Sequence, residues 1–218
     1  MKNELLNRIF TSIILLPVLF YAVINSGMYL TIVLILVYFL AVYEIIKNTK
    51  NLLFIFFANV LFILSLYSFY YLRGDTEYSL IIIFWILITT FFSDIGGYTF
   101  GKTLKGKKLT KISPNKTYSG AAGSIIFSCL SLPLLNLSQF FFLNKVLVNF
   151  LELNFLIITI FISLACQIGD LFVSYWKRKI KIKNISNILP GHGGILDRID
   201  GLMFVLIFCY LLRSLGLI

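Results

Sequence analysis

The sequence predicts an all-α polytopic integral membrane protein of about seven transmembrane helices, with the N-terminus cytoplasmic and the C-terminus outside. Three observations carry this expectation. Of the 218 residues, 59% are hydrophobic and only 13% charged, where soluble domains hold about 45–50% apolar and about 25% charged residues. The apolar residues form long continuous runs rather than the alternation of barrel strands. The basic residues are partitioned: if the N-terminus is cytoplasmic, 16 fall in cytoplasmic segments and 3 (Arg73, Lys145 and Arg213) on the other side, as the positive-inside rule requires.

A helix crossing the roughly 30 Å hydrocarbon core needs about 20 apolar residues. Seven runs qualify, at about 9–25, 28–46, 52–72, 79–100, 119–136, 154–176 and 201–218. The first could be mistaken for a secretory signal. Asn25–Ser26–Gly27 is no small-x-small cleavage site and a second run follows at once, so a retained span is expected. The second run ends on Tyr43 and Glu44, and Glu44 reads as an interfacial residue. Lys50 and Arg73 flank the third. The fourth carries Asp94 toward its end, and a lysine-rich loop separates it from the fifth. The segment 137–153, with Phe140, Phe141 and Phe142, is expected along the interface or partly re-entrant. The sixth run carries Asp170, and Asp197 and Asp200 stand at the start of the seventh. No polar stretch is long enough for a separate soluble domain. One membrane domain over 1–218 is expected, with N-terminal spans in 1–78 and a catalytic part in 79–218 holding motif loops 93–117 and 169–201.

The net charge of +10 sits between the apolar runs, where it suits anionic lipid, topology or a phosphorylated substrate. No nucleic-acid partner is expected. Cys129, Cys166 and Cys209 all lie inside apolar runs, and small apolar packing is expected for each.

Four acids carry chemical information, because a carboxylate at membrane depth is costly and normally faces a partner, a cavity or a metal. Asp94, Asp170, Asp197 and Asp200 fall at the same, cytoplasmic end of their spans. For Asp94 the plain alternative is an ion pair with a nearby lysine. For Asp197 and Asp200 it is capping of a helix start, although their spacing of three also puts them on one helix face. Around Asp94 the chain reads Ser93–Asp94–Ile95–Gly96–Gly97–Tyr98–Thr99–Phe100–Gly101–Lys102 and, further on, Ile112–Ser113–Pro114–Asn115–Lys116–Thr117. Its glycines admit close approach of a backbone or a ligand. Lys116 and Thr117, just before a span, offer a phosphate a cation, a hydroxyl and helix N–H groups. A small-residue helix contact followed by a topogenic loop accounts for the same residues. Glycines meeting a helix start at 190–200 make a second natural anion site. Acids beside an anion site make sense when a divalent cation such as Mg²⁺ bridges them. The combination suggests phosphoryl or nucleotidyl transfer on a lipid. His192, the only histidine, suits a phosphate contact or a structural role better than a general base.

The string Ser174–Tyr175–Trp176–Lys177–Arg178, then Lys183, then Pro190–Gly191–His192–Gly193–Gly194–Ile195–Leu196–Asp197–Arg198–Ile199–Asp200, closely resembles the signature of the phosphatidate cytidylyltransferases (CDP-diacylglycerol synthases). The 93–102 and 112–117 segments resemble that family's second motif, in the correct order. The resemblance implies that CTP and phosphatidate give CDP-diacylglycerol and pyrophosphate with Mg²⁺, and a second cation where the acids allow. It implies Asp170 and Asp197 as metal ligands, with Lys177, Arg198 and Asp200 beside them in catalysis. Asp94, Lys102, Ser113, Lys116, Thr117, Ser174, Arg178, Lys183, Gly191, His192, Gly193 and Gly194 would meet substrate. It further implies a bacterial-type plasma (inner) membrane with the site facing the cytoplasm. The oligomeric state stays open between monomer and homodimer.

The chain departs from the family pattern at Val173, where Glu is usual, and at Asn184, where Asp is usual. It departs again at Ser119, commonly Glu, and at Ile185, commonly Ser; it is also short for the family, at the N-terminal end. The missing carboxylates bear most on a second cation. A CTP-dependent polyprenol kinase is the neighbouring reading. A transporter or channel is the reading from another class; it predicts discontinuous helices in paired halves, which the sequence does not display.

Overall fold

The structure, a computed structural model, describes residues 2–110, 113, 116–142, 147–180, 186 and 194–218, with the backbone alone for 2–12 and 138–142. Among the described residues the chain is all-helical, with seven helices: α1 (Lys2–Asn25), α2 (Gly27–Asn48), α3 (Leu52–Arg73), α4 (Glu77–Thr103), α5 (Tyr118–Phe142), α6 (Leu153–Lys179) and α7 (Leu196–Ser214). Five of them, α2 to α6, are long and apolar enough to cross a membrane. The described apolar part of α1, Ile13–Asn25, is shorter. In α7, Asp197, Arg198, Asp200 and Arg213 interrupt 19 residues.

Helix ends follow local chemistry. The Asn51 side chain accepts from Phe54 N (3.2 Å) to start α3, and Thr76 Oγ1 accepts from Ser79 N (3.1 Å) to start α4, the N-cap preference of short polar side chains. Gly74, with φ 42°, ends α3, a left-handed conformation that glycine adopts without a steric cost. Helices overrun the apolar runs at their polar ends: α4 reaches Thr103 and α7 begins at Leu196. Of the expected interfacial segment 137–153, residues 143–146 lie outside the described residues. α5 continues through Phe142, and the turn before α6 buries Phe150 completely.

Trp85 is the centre of the core. It is fully buried, donates from Nε1 to Thr159 Oγ1 at 3.0 Å, and packs edge-on against Phe155. A second apolar cluster joins Ala41 and Ile45 of α2, Ala58 and Phe62 of α3, Val173 of α6, and Leu196 and Met203 of α7. At one end of the bundle Arg73 donates to the carbonyls of Val23 and Ile24, closing α1, while Ser26 Oγ donates to Asp75 Oδ1 at 2.9 Å. Arg213 lies at this end too, donating to Ser79 Oγ at 3.1 Å. The informative acids gather at the other end.

The tightest crossing is α4 on α5. A Cβ on Gly96 would collide with the Gly123 carbonyl and stand 2.6 Å from Phe127 Cβ, and one on Gly97 would stand 2.7 Å from Ser124 Oγ. Packing and helix–helix dispersion drive association in lipid, so small residues that let backbones approach are the natural interface. Gly96 therefore serves backbone approach, while Gly97 also lines a polar cavity at this end of the bundle. This crossing fixes where Asp94, one residue before Ile95 and two before Gly96, stands relative to the start of α5.

Candidate active site

Cys166 and Asp170 are four apart on α6 and so share a face. That face meets Asp94 of α4: one carboxylate oxygen from each acid and Cys166 Sγ all lie within 4.8 Å of one another. Cys166 Sγ is 3.5 Å from Asp94 Oδ1, as a weak donor. Cys166 is thus more than the apolar filler its setting suggests. Lys116, at the mouth of α5, places Nζ 3.0 Å from Asp170 Oδ2. The lysine thereby pairs with Asp170 directly, and the thiol is the hydrogen-bond partner of Asp94. A cavity of about 290 Å³ opens here, lined by Asp94, Tyr98, Ser113, Lys116, Thr117, Gln167 and Asp170 among others.

The second group abuts the first across the α6–α7 crossing. A Cβ on Gly201 would lie 2.7 Å from Asp170 Oδ1 and from Cys166 Sγ, and one on Gly169 would lie 2.9 Å from the Asp200 carbonyl. Only glycine at both positions lets α7 come this close. Asp197 and Asp200 then share one cation: Lys177 Nζ is 2.9 Å from Asp197 Oδ1 and 3.5 Å from Asp200 Oδ2. Their spacing of three does put them on one face, and the face is turned to α6.

At the start of α7 the amides of Gly194, Ile195 and Leu196 each meet a carboxylate, while Gly191 and Gly193, the other glycines of the expected anion site, lie outside the described residues. Gly194 N donates to Asp197 Oδ2 (3.3 Å), Ile195 N to Glu44 Oε1 (2.8 Å) and Leu196 N to Glu44 Oε2 (3.1 Å). Glu44 is fully buried and also accepts from Ser186 Oγ at 2.5 Å. Glu44, read from the sequence as interfacial, is thus enclosed by protein and hydrogen-bonded there. An acid at the end of an apolar run looks like an interfacial residue when its partners are 142 to 152 residues away.

The remaining expected residues divide three ways. Thr117 Oγ1 accepts from Gly120 N (3.1 Å), so it caps α5 as well as lining the cavity. Lys102 sits on Tyr98, with Nζ 3.3 Å from its hydroxyl, at the rim of the cavity. Ser174 is half-buried on α6, and Arg178 and Arg198 are exposed. Lys183, Gly191, His192 and Gly193 lie outside the described residues, as do Asn184 and Ile185. Val173 is buried in the apolar cluster with Leu196 and Met203 and shares a pocket lining with Asn48 and Lys177. Ser119 bonds to Thr117 Oγ1 at 3.0 Å and to the Lys105 carbonyl. Gln167 is a cavity residue that sequence reasoning missed; a polar residue four after Ser163 in an apolar run was the available signal.

The donor set fits a hard divalent cation. Magnesium takes one or two carboxylates and fills its other positions with water or phosphate oxygens, and Asp94 and Asp170 supply two acids beside an open cavity. The soft thiol of Cys166 does not suit such an ion as a ligand. Asp197, expected as the second ligand with Asp170, accepts from Lys177 Nζ and from Gly194 N.

A family profile described as the cytidylyltransferase family matches residues 47–215. A protein named phosphatidate cytidylyltransferase from Bacillus subtilis (strain 168) is 37% identical over 175 residues, covering 78% of this chain and 62% of the relative. One of the same name from Rickettsia conorii is 35% identical over 148 residues, 64% of this chain and 60% of the relative. A third, from Staphylococcus saprophyticus, is 40% identical over 145 residues, 64% and 51% respectively. The chain thus spans less than two thirds of the length of these relatives. The profile match runs from the end of α2 through the Asp94–Asp170 cavity to the end of α7, and on that ground the chain belongs to the cytidylyltransferase family.

Proposed function

We propose that the chain transfers a cytidylyl group from CTP to phosphatidate, giving CDP-diacylglycerol and pyrophosphate. The observation that carries this reading is the polar cavity in which Asp94, Asp170 and Lys116 converge at the end of an otherwise apolar bundle. The names of the relatives supply the substrate pair, and the acids and lysines are the chemistry that a triphosphate needs. A phosphate oxygen of the lipid attacks the α-phosphorus of CTP and forms a new P–O bond. The bond from the α-phosphorus to the α–β bridging oxygen breaks, and pyrophosphate leaves with the electron pair. The lipid phosphate is already an anionic nucleophile near neutral pH, so no dedicated base is required.

Asp94 and Asp170 are the residues we assign to the divalent cation, with Asp197 and Asp200 at the adjoining edge. When bound, the cation would neutralise the triphosphate and polarise its α-phosphate. Lys116 and Lys177, each now paired with an aspartate, are the cations we assign to the phosphates, where they would stabilise the charge developing on pyrophosphate. Holding the two anionic substrates together is the larger part of such catalysis. We place the acyl chains in the apolar groove of about 690 Å³ between α3, α6 and α7, lined by Leu61, Phe172, Trp176 and Phe204 among others. Phe172 and Trp176 also line a smaller apolar pocket whose lining includes Lys177. The site faces the cytoplasm of a bacterial-type plasma membrane in this reading, because the basic segments cluster at its end of the bundle.

The test is the purified full chain with Mg²⁺, phosphatidate and CTP labelled at either the α- or the γ-phosphate. Label from the α-position should enter lipid. Label entering from the γ-position would identify a kinase instead, and lipid free of both labels would overturn the reading.

A further inference from the structure

We propose that Glu44 is a positioning residue for this nucleotidyl transfer: reaching from α2, its carboxylate fixes the first turn of α7 and, through it, Asp197 and Asp200 beside Lys177. The inference rests on the activity proposed above and adds a residue that lies far from both motif loops in sequence.

A helix start leaves its first amides without intrahelical partners. The usual remedy is a Ser, Thr, Asp or Asn at the N-cap. Here the N-cap is Ile195, which has helical dihedrals and no side chain that can accept. Glu44 takes that place from another helix, meeting Ile195 N at 2.8 Å and Leu196 N at 3.1 Å. The same oxygen that receives Ile195 N receives Ser186 Oγ at 2.5 Å, so both ends of the 186–195 connection meet on one carboxylate. Burying a carboxylate is unfavourable unless it is hydrogen-bonded, and with three donors this one is satisfied. Gly194 makes room for it: a Cβ there would stand 2.9 Å from Glu44 Oε2, 3.0 Å from Oε1 and 3.2 Å from Asp197 Oδ2. Glu44 does not line the polar cavity. Its influence on chemistry passes through α7, whose next residue, Asp197, is already 2.9 Å from Lys177 Nζ.

Two readouts on the full chain in detergent test this. The first is amide hydrogen exchange, which needs no activity. Glu44→Ala and Glu44→Gln should accelerate exchange over 194–198 and leave the α4–α5 crossing unchanged. The second is steady-state kinetics. Glu44→Ala should lower kcat by roughly 10- to 100-fold, the range for residues that orient ligating groups, with KM for CTP and phosphatidate within about threefold. Glu44→Gln, which keeps one accepting oxygen, should recover part of the loss. Gly194→Ala should lower kcat by displacing the carboxylate and should add little to Glu44→Ala, since residues acting through one contact are not additive. If Glu44→Ala exchanges rapidly throughout α4 and α5, it is unfolded, and Glu44→Gln and Gly194→Ala decide. Unchanged exchange at 194–198, unchanged kcat, or full additivity with Gly194→Ala would overturn the proposal. Accelerated exchange in a chain whose wild type transfers no cytidylyl group would sink the activity and with it the positioning role, leaving Glu44 as a cap only.

Discussion

Lys177 carries the densest charge relations in the molecule's described part, because one ammonium serves two carboxylates three residues apart. Replacing it with Met would leave Asp197 and Asp200 facing each other without their shared cation. A loss of about 1.5–3 kcal/mol, typical of hydrogen bonds to charged groups, is expected in thermal unfolding, and Asp197→Asn in the same chain should return part of it. For catalysis, Asp170→Asn and Asp94→Asn should each reduce CDP-diacylglycerol formation at least about 100-fold, comparable with removing one electrostatic stabiliser from an active site. Both should leave the detergent-solubilised protein folded by exclusion chromatography and tryptophan fluorescence; near-normal turnover would refute the cation assignment. At this scale the sequence exposes whichever residue breaks its local context. Asp94 and Asp170 stand out as acids inside apolar runs, and they do converge. Cys166 and Glu44 hide because a thiol in an apolar run and an acid at its end look ordinary. Their meaning depends on partners 72 and 151 residues away.

Helices α4 and α5 are held by close backbone approach, and that makes their glycines unequal. Gly96→Val should be severe, since the obstacles are the Gly123 carbonyl and Phe127 Cβ, neither of which can move without shifting a helix. Overpacking of this kind costs about 1–3 kcal/mol, to be read as a lower melting temperature in detergent. Gly97→Ala should be milder, because its neighbour at 2.7 Å is the rotatable hydroxyl of Ser124. Equal effects from the two substitutions would contradict a backbone-limited crossing. Helix number and order are legible from the apolar runs, but their ends are not. Asp197, Arg198 and Asp200 are polar, so hydropathy starts the last helix at 201, whereas the capping carboxylate of Glu44 starts it at Leu196. The α4–α5 glycines suit both a helix contact and a ligand loop in sequence, and the structure shows the contact at Gly96 and Gly123 and the cavity wall at Gly97 and Gly120.

On the scale of the whole molecule, the two ends of the bundle differ in kind. One end holds Arg73, Asp75 and Arg213, hydrogen-bonded to Ile24, Ser26 and Ser79; the other holds Asp94, Asp170, Asp197, Asp200 and their lysines. With Cys129, Cys166 and Cys209 replaced by alanine, single cysteines at Lys107 and Arg178 should resist a membrane-impermeant maleimide in intact cells and react in inverted vesicles. A cysteine at Glu152 should show the reverse. Labelling of Lys107 and Glu152 from the same side would overturn the expected orientation. The grouping of basic residues that predicts this orientation is readable directly from the chain. The path by which α2 reaches the start of α7 is not, because no local pattern encodes which helix end will supply a missing cap.

The Glu44 cap also has a place in time. Ile195 follows Glu44 by 151 residues, and at synthesis rates of roughly 5–20 residues per second its amide is made about 8–30 s after the acid. Throughout that interval α3 to α6 are added while Glu44 waits near the water-facing end of α2. Its two backbone donors, Ile195 N and Leu196 N, arrive only with the first turn of α7, so those bonds record that this helix has been made. A nascent chain halted before residue 195 would lack both bonds, and its bundle would be distinguishable by that uncapped carboxylate.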